Sequence, residues 1–293
     1  MDHRAALLVL LRQRLETLID AMPAAQAGDV RSVHQARVAT RRLRAALPVL
    51  RKSLDAHAID RAQTRVRRMT RALGPVRELD VSLMHLDELA NRGVATARAI
   101  NRVRQALTEE RLEKRRTMLS QITPGKVERL SRELAHVGSG PPVGGRPGAI
   151  KDAVRRVERR AEDLAKVIAQ AGSLYSPEPL HSVRIAAKKL RYAMEIEREL
   201  KRSRVTARIR QLKMFQDRLG RLHDLHVLAA QSRAVQTEVS ATDWRLAAEL
   251  DELIEAIDED GRKEHAAYMR RRDAILKLCE NPTLGETRSA AVA

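Results

Sequence analysis

The chain has 293 residues, enough for about two domains of roughly 150 residues each. Its 43% apolar and 32% charged content excludes a disordered polymer, and one Trp, three Tyr and one Phe leave the cores to Leu, Ala, Val, Ile and Met, the filling of helix bundles rather than of β-sandwiches or barrels. Lys and Arg outnumber Asp and Glu by 56 to 38, a formal charge of +18 that opposes compaction and points to an anionic partner: nucleic acid, an anionic membrane or a phosphate polymer.

Apolar residues recur at three- and four-residue spacing along most of the chain, which predicts helices. No window alternates with period two between turn signals, as a strand would. The first predicted helix covers about 3–21. Its apolar run from Ala5 to Leu11 resembles the core of a secretion signal, but Arg12 and Arg14 interrupt it and no small-residue cleavage site follows. Leu15, Leu18 and Ile19 continue one helical face, so the segment reads as a bundle helix. Helices follow at 30–57 with a bend at Pro48, then at 59–73, 76–91, 95–120 and 124–136. Gly138 to Gly148 contains five Gly and three Pro, which forbid regular helix and mark a linker. Beyond it helices are predicted at 149–171, 178–201, 204–219, 222–238 and 241–279.

The domain reading is therefore a first helical-bundle repeat over 1–137, a linker over 138–148, a second repeat over 149–280 and a flexible tail over 281–293. Cys279 is the only cysteine, which excludes a disulfide framework and a cysteine-based zinc site and fits a reducing cytosol. No apolar run approaches the ~20 residues that cross a membrane.

The word "repeat" rests on two matches at one offset. Val33-His34-Gln35-Ala36-Arg37 and the following Arg41-Arg42-Leu43-Arg44 align with Leu180-His181-Ser182-Val183-Arg184 and Lys188-Lys189-Leu190-Arg191, with His181 standing 147 residues after His34. Leu73-Gly74 with Glu78 and Asp80 aligns in the same way with Leu219-Gly220 and Asp224, at an offset of 146 residues. Two ordered matches at nearly the same separation indicate a tandem duplication.

On a helix that turns 100° per residue, His34, Arg37, Arg41 and Arg44 fall within roughly 80° of one another. Ala36, Ala39, Leu43, Leu47 and Leu50 take the opposite side and can face a core. The second copy sets His181, Arg184, Lys188 and Arg191 against Val183, Ala186 and Leu190. Arg42 and Lys189 flank their stripes, and Arg67 and Lys213, each seven residues before the paired glycines, could extend the basic surface from a neighbouring helix. Solvated helix faces usually mix signs, because like charges one turn apart repel. Here cations stack on successive turns, so neighbouring carboxylates (Glu78, Asp80 and Asp224 are candidates) or a bound anion must offset them. The planar guanidinium donates paired hydrogen bonds to phosphate oxygens, and successive turns rise ~5.4 Å, so an extended phosphate polymer could touch several at once.

Other chemistries fare worse. A divalent metal would meet mainly cations at either histidine, so no metal or other cofactor is expected. Five aromatics leave little for base stacking, which makes sequence-independent nucleic-acid binding the alternative reading rather than the first. No Gly-rich phosphate loop and no paired carboxylates beside the stripes suggest an enzyme.

At these residues the chain resembles the CHAD family, named for a histidine in an α-helical domain. The two His-x-x-Arg-x-x-x-[Arg/Lys]-[Arg/Lys]-Leu-Arg helices and the two Leu-Gly-x-x-x-[Asp/Glu] segments carry the likeness, over about residues 3–280. It implies an all-α fold of two tandem antiparallel four-helix bundles related by a pseudo-twofold. It further implies non-catalytic binding of inorganic polyphosphate by the basic helices and a cytoplasmic place on polyphosphate granules. Arg77-Glu78-x-Asp80 departs conservatively from the family's Arg-Asp-x-Asp, and His223 stands where Arg or Asn is commoner. Many relatives carry a triphosphate-tunnel domain marked Glu-x-Glu-x-Lys. Glu197-Arg198-Glu199-Leu200-Lys201 spells that pattern, but at the end of a predicted helix rather than on a strand, and is coincidental.

Overall fold

A computed structural model describes residues 3–51, 55–139, 149–201 and 206–282. These residues form nine α-helices and no strand: α1 (His3–Ala27), α2 (Val30–Leu50), α3 (Ala56–Asn91), α4 (Ala97–Gln121), α5 (Pro124–Ser139), α6 (Ala149–Ala171), α7 (Pro177–Lys201), α8 (Thr206–Val239) and α9 (Trp244–Glu280). The fold is all-α, as the composition and periodicity require. Most of the linker expected at 138–148 and of the tail expected at 281–293 lies outside the described residues.

Capping residues set several of the starts. The Asp29 carboxylate accepts from the Ser32 N–H at 2.7 Å and opens α2, and Asp55 accepts from the His57 and Ala58 N–H groups and opens α3. Gly28, at φ +100°, makes the turn from α1 into α2. The helix expected over 30–57 is thus two elements: α2 ends at Leu50, and Asp55 restarts the chain as α3.

The opposite correction applies at the paired glycines. The expected pairs 59–73 with 76–91 and 204–219 with 222–238 are each one continuous helix, with Gly74-Pro75 inside α3 and Gly220 inside α8. An internal proline costs roughly 3 kcal/mol. Buried Val66, Met69, Leu73, Val76 and Leu79 keep helical spacing across it, so packing on that face outweighs the missing hydrogen bond.

This continuity shapes the core, which has three centres. The first joins α1, α2, the first half of α3, the end of α4 and α5, around Leu18, Leu43 and Leu73. The second joins α6, α7, the first half of α8 and the last part of α9, around Leu164, Leu190, Phe215 and Tyr268. The third is shared: Leu86 and Leu89 of α3, Val103 and Leu107 of α4, Leu228 of α8 and Leu250 and Leu253 of α9 pack together. Helices α3, α4, α8 and α9 each run from the core of their own half into this common one. The passage in α3 falls between Val76 and Leu79 and in α8 between Leu222 and Leu225, within the second repeated motif. At the same level the buried carboxylate of Asp80 binds Arg111 at 2.6 Å, and Arg111 also donates to the Gly28 carbonyl at 3.0 Å.

A shared core couples the halves. Leu228→Ala, at a fully buried position, should cost about 2–5 kcal/mol and lower a single calorimetric transition of the whole chain. Two resolved transitions, of which only one moves, would show that the halves unfold independently.

Candidate functional site

Burial of Ala36, Ala39, Leu43 and Leu47 on α2, and of Val183, Ala186 and Leu190 on α7, fixes the rotation of both helices. Their basic faces then turn toward each other, because α2 also packs against α7 and α6. The result is one open cavity of about 540 Å3. Arg37, Arg41 and Arg44 line it from α2, and His181, Arg184, Lys188 and Lys189 line it from α7. Two stripes 147 residues apart in sequence thus meet in one place.

Two further arginines, Arg156 and Arg160 of α6, line the same cavity. The Arg156 guanidinium donates to the Ala45 carbonyl at 3.5 Å, tying α6 to α2, and Arg160 pairs with Asp163 at 2.8 Å. Sequence reasoning missed both. They have no counterpart in the first repeat, where Val9 and Gln13 occupy the same offset, so comparing the repeats conceals them. The signal was the run Arg155-Arg156-x-x-Arg159-Arg160, cationic pairs four residues apart and so on one face. Gln63 and Thr70 of α3 and the Tyr192 ring complete the wall.

Several expected residues stand elsewhere. Arg191 binds Glu195 and Gln216, each at 2.8 Å, and Gln216 in turn donates to the Ala187 carbonyl at 2.8 Å. This guanidinium holds α7 to α8 and is not part of the cavity. Arg42 is exposed beyond the rim, and its backbone carbonyl accepts from Arg14 at 3.1 Å. His34 is exposed and does not reach the cavity, unlike His181, whose ring packs on His223 with centroids 4.9 Å apart. Arg67 is exposed beside Arg44 and continues the basic surface outward, whereas Lys213 lies on the exposed face of α8, away from the cavity. Glu197 of the fortuitous Glu-x-Glu-x-Lys match is buried on a helix, and Glu199 pairs with Arg14 at 3.4 Å.

Carboxylates compensate the cations only in part. Asp224 comes within 3.8 Å of Arg184, beyond hydrogen-bonding distance, and the buried Arg184 Nε has no partner among the described residues. Asp80 is taken by Arg111 and is not available to the stripes. Arg37 finds a neutral acceptor instead, donating to the Thr70 carbonyl at 3.2 Å. It reaches there because residue 74 is glycine: a Cβ at that position would stand 3.1 Å from the Arg37 nitrogen. In α8 nothing lies near Gly220, so the paired glycines serve different ends.

The titration of the cavity groups follows from burial first and like charge second. Burial, then Arg41 and Arg184, lower Arg37 to about 10. The same causes, burial first, then Arg41, Arg184 and Arg37, bring Lys188 down to about 6. Burial also raises Asp224 and lowers Arg184, so neither member of that loose pair fully stabilises the other. His181 is lowered by burial and then Arg184, and His223 falls to about 3 by burial, then Arg184 and His181. The cavity therefore holds fixed guanidinium charge, an amine poised to lose its proton and, in His181, an imidazole of lowered proton affinity. No group of three or more His, Cys, Asp or Glu suited to a metal ion occurs among the described residues, and no described helix is long and apolar enough to cross a membrane.

Comparison with known proteins agrees with this architecture. The family model of the CHAD domain matches residues 9–233. The fold is similar to that of PptA from Streptomyces chartreusis, with a TM-score of 0.65 and 18% identity over 94% of this chain and 98% of that one. It is similar also to the CHAD domain from the plant Ricinus communis, with a TM-score of 0.64 and 21% identity over 95% of this chain and 91% of that one. At such identities the two structures speak to the fold alone, and no curated protein matches the chain. The family match spans far more than half of the sequence and includes both basic helices, so the chain belongs to the CHAD family.

Proposed function

We propose that the cavity binds inorganic polyphosphate without catalysis, and that this binding carries the protein to polyphosphate granules in the cytoplasm. The family is associated with polyphosphate. The observation that carries the reading is the convergence of the α2 and α7 stripes, joined by α6, on one open cavity where Arg184 lacks a full partner. A strand of tetrahedral phosphates offers closely spaced oxygens to such a wall, and each guanidinium can take two of them.

Sequence-independent nucleic-acid binding is the competing reading, since charge alone holds a phosphate backbone. The cavity offers bases little. Its aromatic ring, Tyr192, already has the Arg191 and Arg41 guanidinium groups 4.8 and 5.8 Å from its centroid. Duplex DNA at equal phosphate concentration should fail to displace long-chain polyphosphate, and displacement would favour the nucleic-acid reading.

Isothermal titration with long-chain polyphosphate tests the site. Placing two carboxylates in the cavity, Arg41→Glu with Lys188→Glu, should weaken binding at least about tenfold, or roughly 1.4 kcal/mol. Lys213→Glu changes net charge outside the cavity and should stay within about threefold. Equal losses from both would mean that overall charge, not the cavity, holds the polymer.

Binding should also take up protons. An arriving polyanion raises the Lys188 pKa from about 6, so between that value and the bound value the complex holds more protons than the free protein. At pH 7.5, titration in buffers of different ionisation enthalpy should show this uptake. It should fall by close to one proton in Lys188→Met and fade below about pH 6, where the free amine is already protonated. An unchanged uptake in Lys188→Met would place the linkage on other groups.

A further inference from the structure

Lys188 differs in kind from the other cations around it. Arg37 and Arg41 face it from α2, His181 and Arg184 from its own helix α7, and His223 and Asp224 from α8. Its amine makes no hydrogen bond or ion pair with any described residue, and its side chain opens into the cavity. The one carboxylate in this circle, Asp224, leans toward Arg184. A guanidinium keeps its proton in such company, whereas an alkylamine does not. Crowding a partly buried lysine among cations is how a neutral, nucleophilic amine is made at ordinary pH.

Resting on the reading of the cavity as a phosphate site, we infer that Lys188 is an acylation site for acyl phosphates, the mixed anhydrides of a carboxylic acid and phosphoric acid. The guanidinium groups that receive a polyphosphate oxygen would receive the phosphate half of such a molecule, leaving its carbonyl carbon beside the Lys188 amine. The nitrogen lone pair attacks that carbon, a C–N bond forms, and the C–O bond to phosphorus breaks. Orthophosphate departs with the bonding electron pair, stabilised by the arginines, and the amine gives a proton to solvent. The product is an N-acyl-lysine and one orthophosphate, with no oxidant or further reactant. The reaction occurs once per protein molecule. It replaces a protonatable amine by a neutral amide, so an acylated cavity binds polyphosphate more weakly and no longer gains a proton at that position.

Burial and the neighbouring cations, which lower Lys188 to about 6, keep it mostly neutral at pH 7 and above. A free alkylamine such as Nα-acetyl-lysine, with an ordinary value of ~10.4, is almost wholly protonated at pH 7. This contrast supplies the test. The full chain is incubated with acetyl phosphate, with and without tripolyphosphate, and acetylation at each lysine is followed by peptide mass spectrometry from pH 7 to 9. Lys188 should acetylate at least about tenfold faster at pH 7 than Lys213, which lies outside the cavity. Its rate should be nearly flat with pH, while that of Nα-acetyl-lysine added as a free-amine reference rises about tenfold per unit, and tripolyphosphate should suppress acetylation at Lys188 but not at Lys213. A Lys188 rate no greater than that of Lys213, or one that climbs with pH as the free-amine reference does, overturns the inference. So does acetylation indifferent to tripolyphosphate in protein that calorimetry shows to bind it. Absence of tripolyphosphate and polyphosphate binding in the same calorimetry would instead overturn the reading of the cavity itself, whatever the mass spectra show.

Discussion

Mutual repulsion among cations gathered into one partly buried cavity is the constraint on which the rest of the structure depends. Helices α2, α6 and α7 bring Arg37, Arg41, Arg156, Arg184 and Lys188 to a common wall, and burial weakens the screening that water and salt would otherwise provide. The nearest acid to Arg184, Asp224, is too loosely placed to cancel them. Like charges in such a space push the helices apart. Something outside the site must hold them, and an anion inside it must be welcome.

The holding is done by apolar contacts and by arginine hydrogen bonds between helices. Arg14 reaches from α1 to the Arg42 carbonyl on α2 and to Glu199 on α7, and Arg156 reaches the Ala45 carbonyl. Ala153 of α6 and Ile196 of α7 are part of the first core, so the second half contributes side chains directly beneath the site. The shared core then fixes α3 and α8, whose middle turns carry Thr70 and Asp224 toward it. Several arginines are therefore structural. Arg111, Arg191 and Arg65 are each bound to a carboxylate at 2.6–2.8 Å, and their removal would strand a partly buried acid rather than empty a ligand site.

Helical class and the rotation of each basic helix were legible because apolar periodicity and the repeated motif report the same thing twice. That His181, Arg184 and Lys188 share a wall with Arg37, Arg41 and Arg44 follows from the packing of α2 on α7. Local turn chemistry misled where tertiary packing overrode it. Gly74-Pro75 reads as a helix end, but the continuous buried face of α3 carries the helix through. Helical angle could not separate Arg191 from the true wall, because its place is decided by Glu195 one turn along and by Gln216 on another helix. Arg156 and Arg160 stayed hidden because they sit where the two halves differ, and a search for what is repeated passes over such positions.

The merging of two basic stripes into a single cavity also sets a valency. A protein with a separate site on each half could grip two polymer strands and join them, and many such molecules would knit polyanions into a gel. Here the stripes face inward on common ground, so each chain offers one seat, open to solvent at its mouth. A long polyphosphate strand leaving that mouth still presents free phosphates to the next molecule. On the proposed reading the chain decorates such a strand in series, like beads on a thread. It would coat a granule without cross-linking its interior.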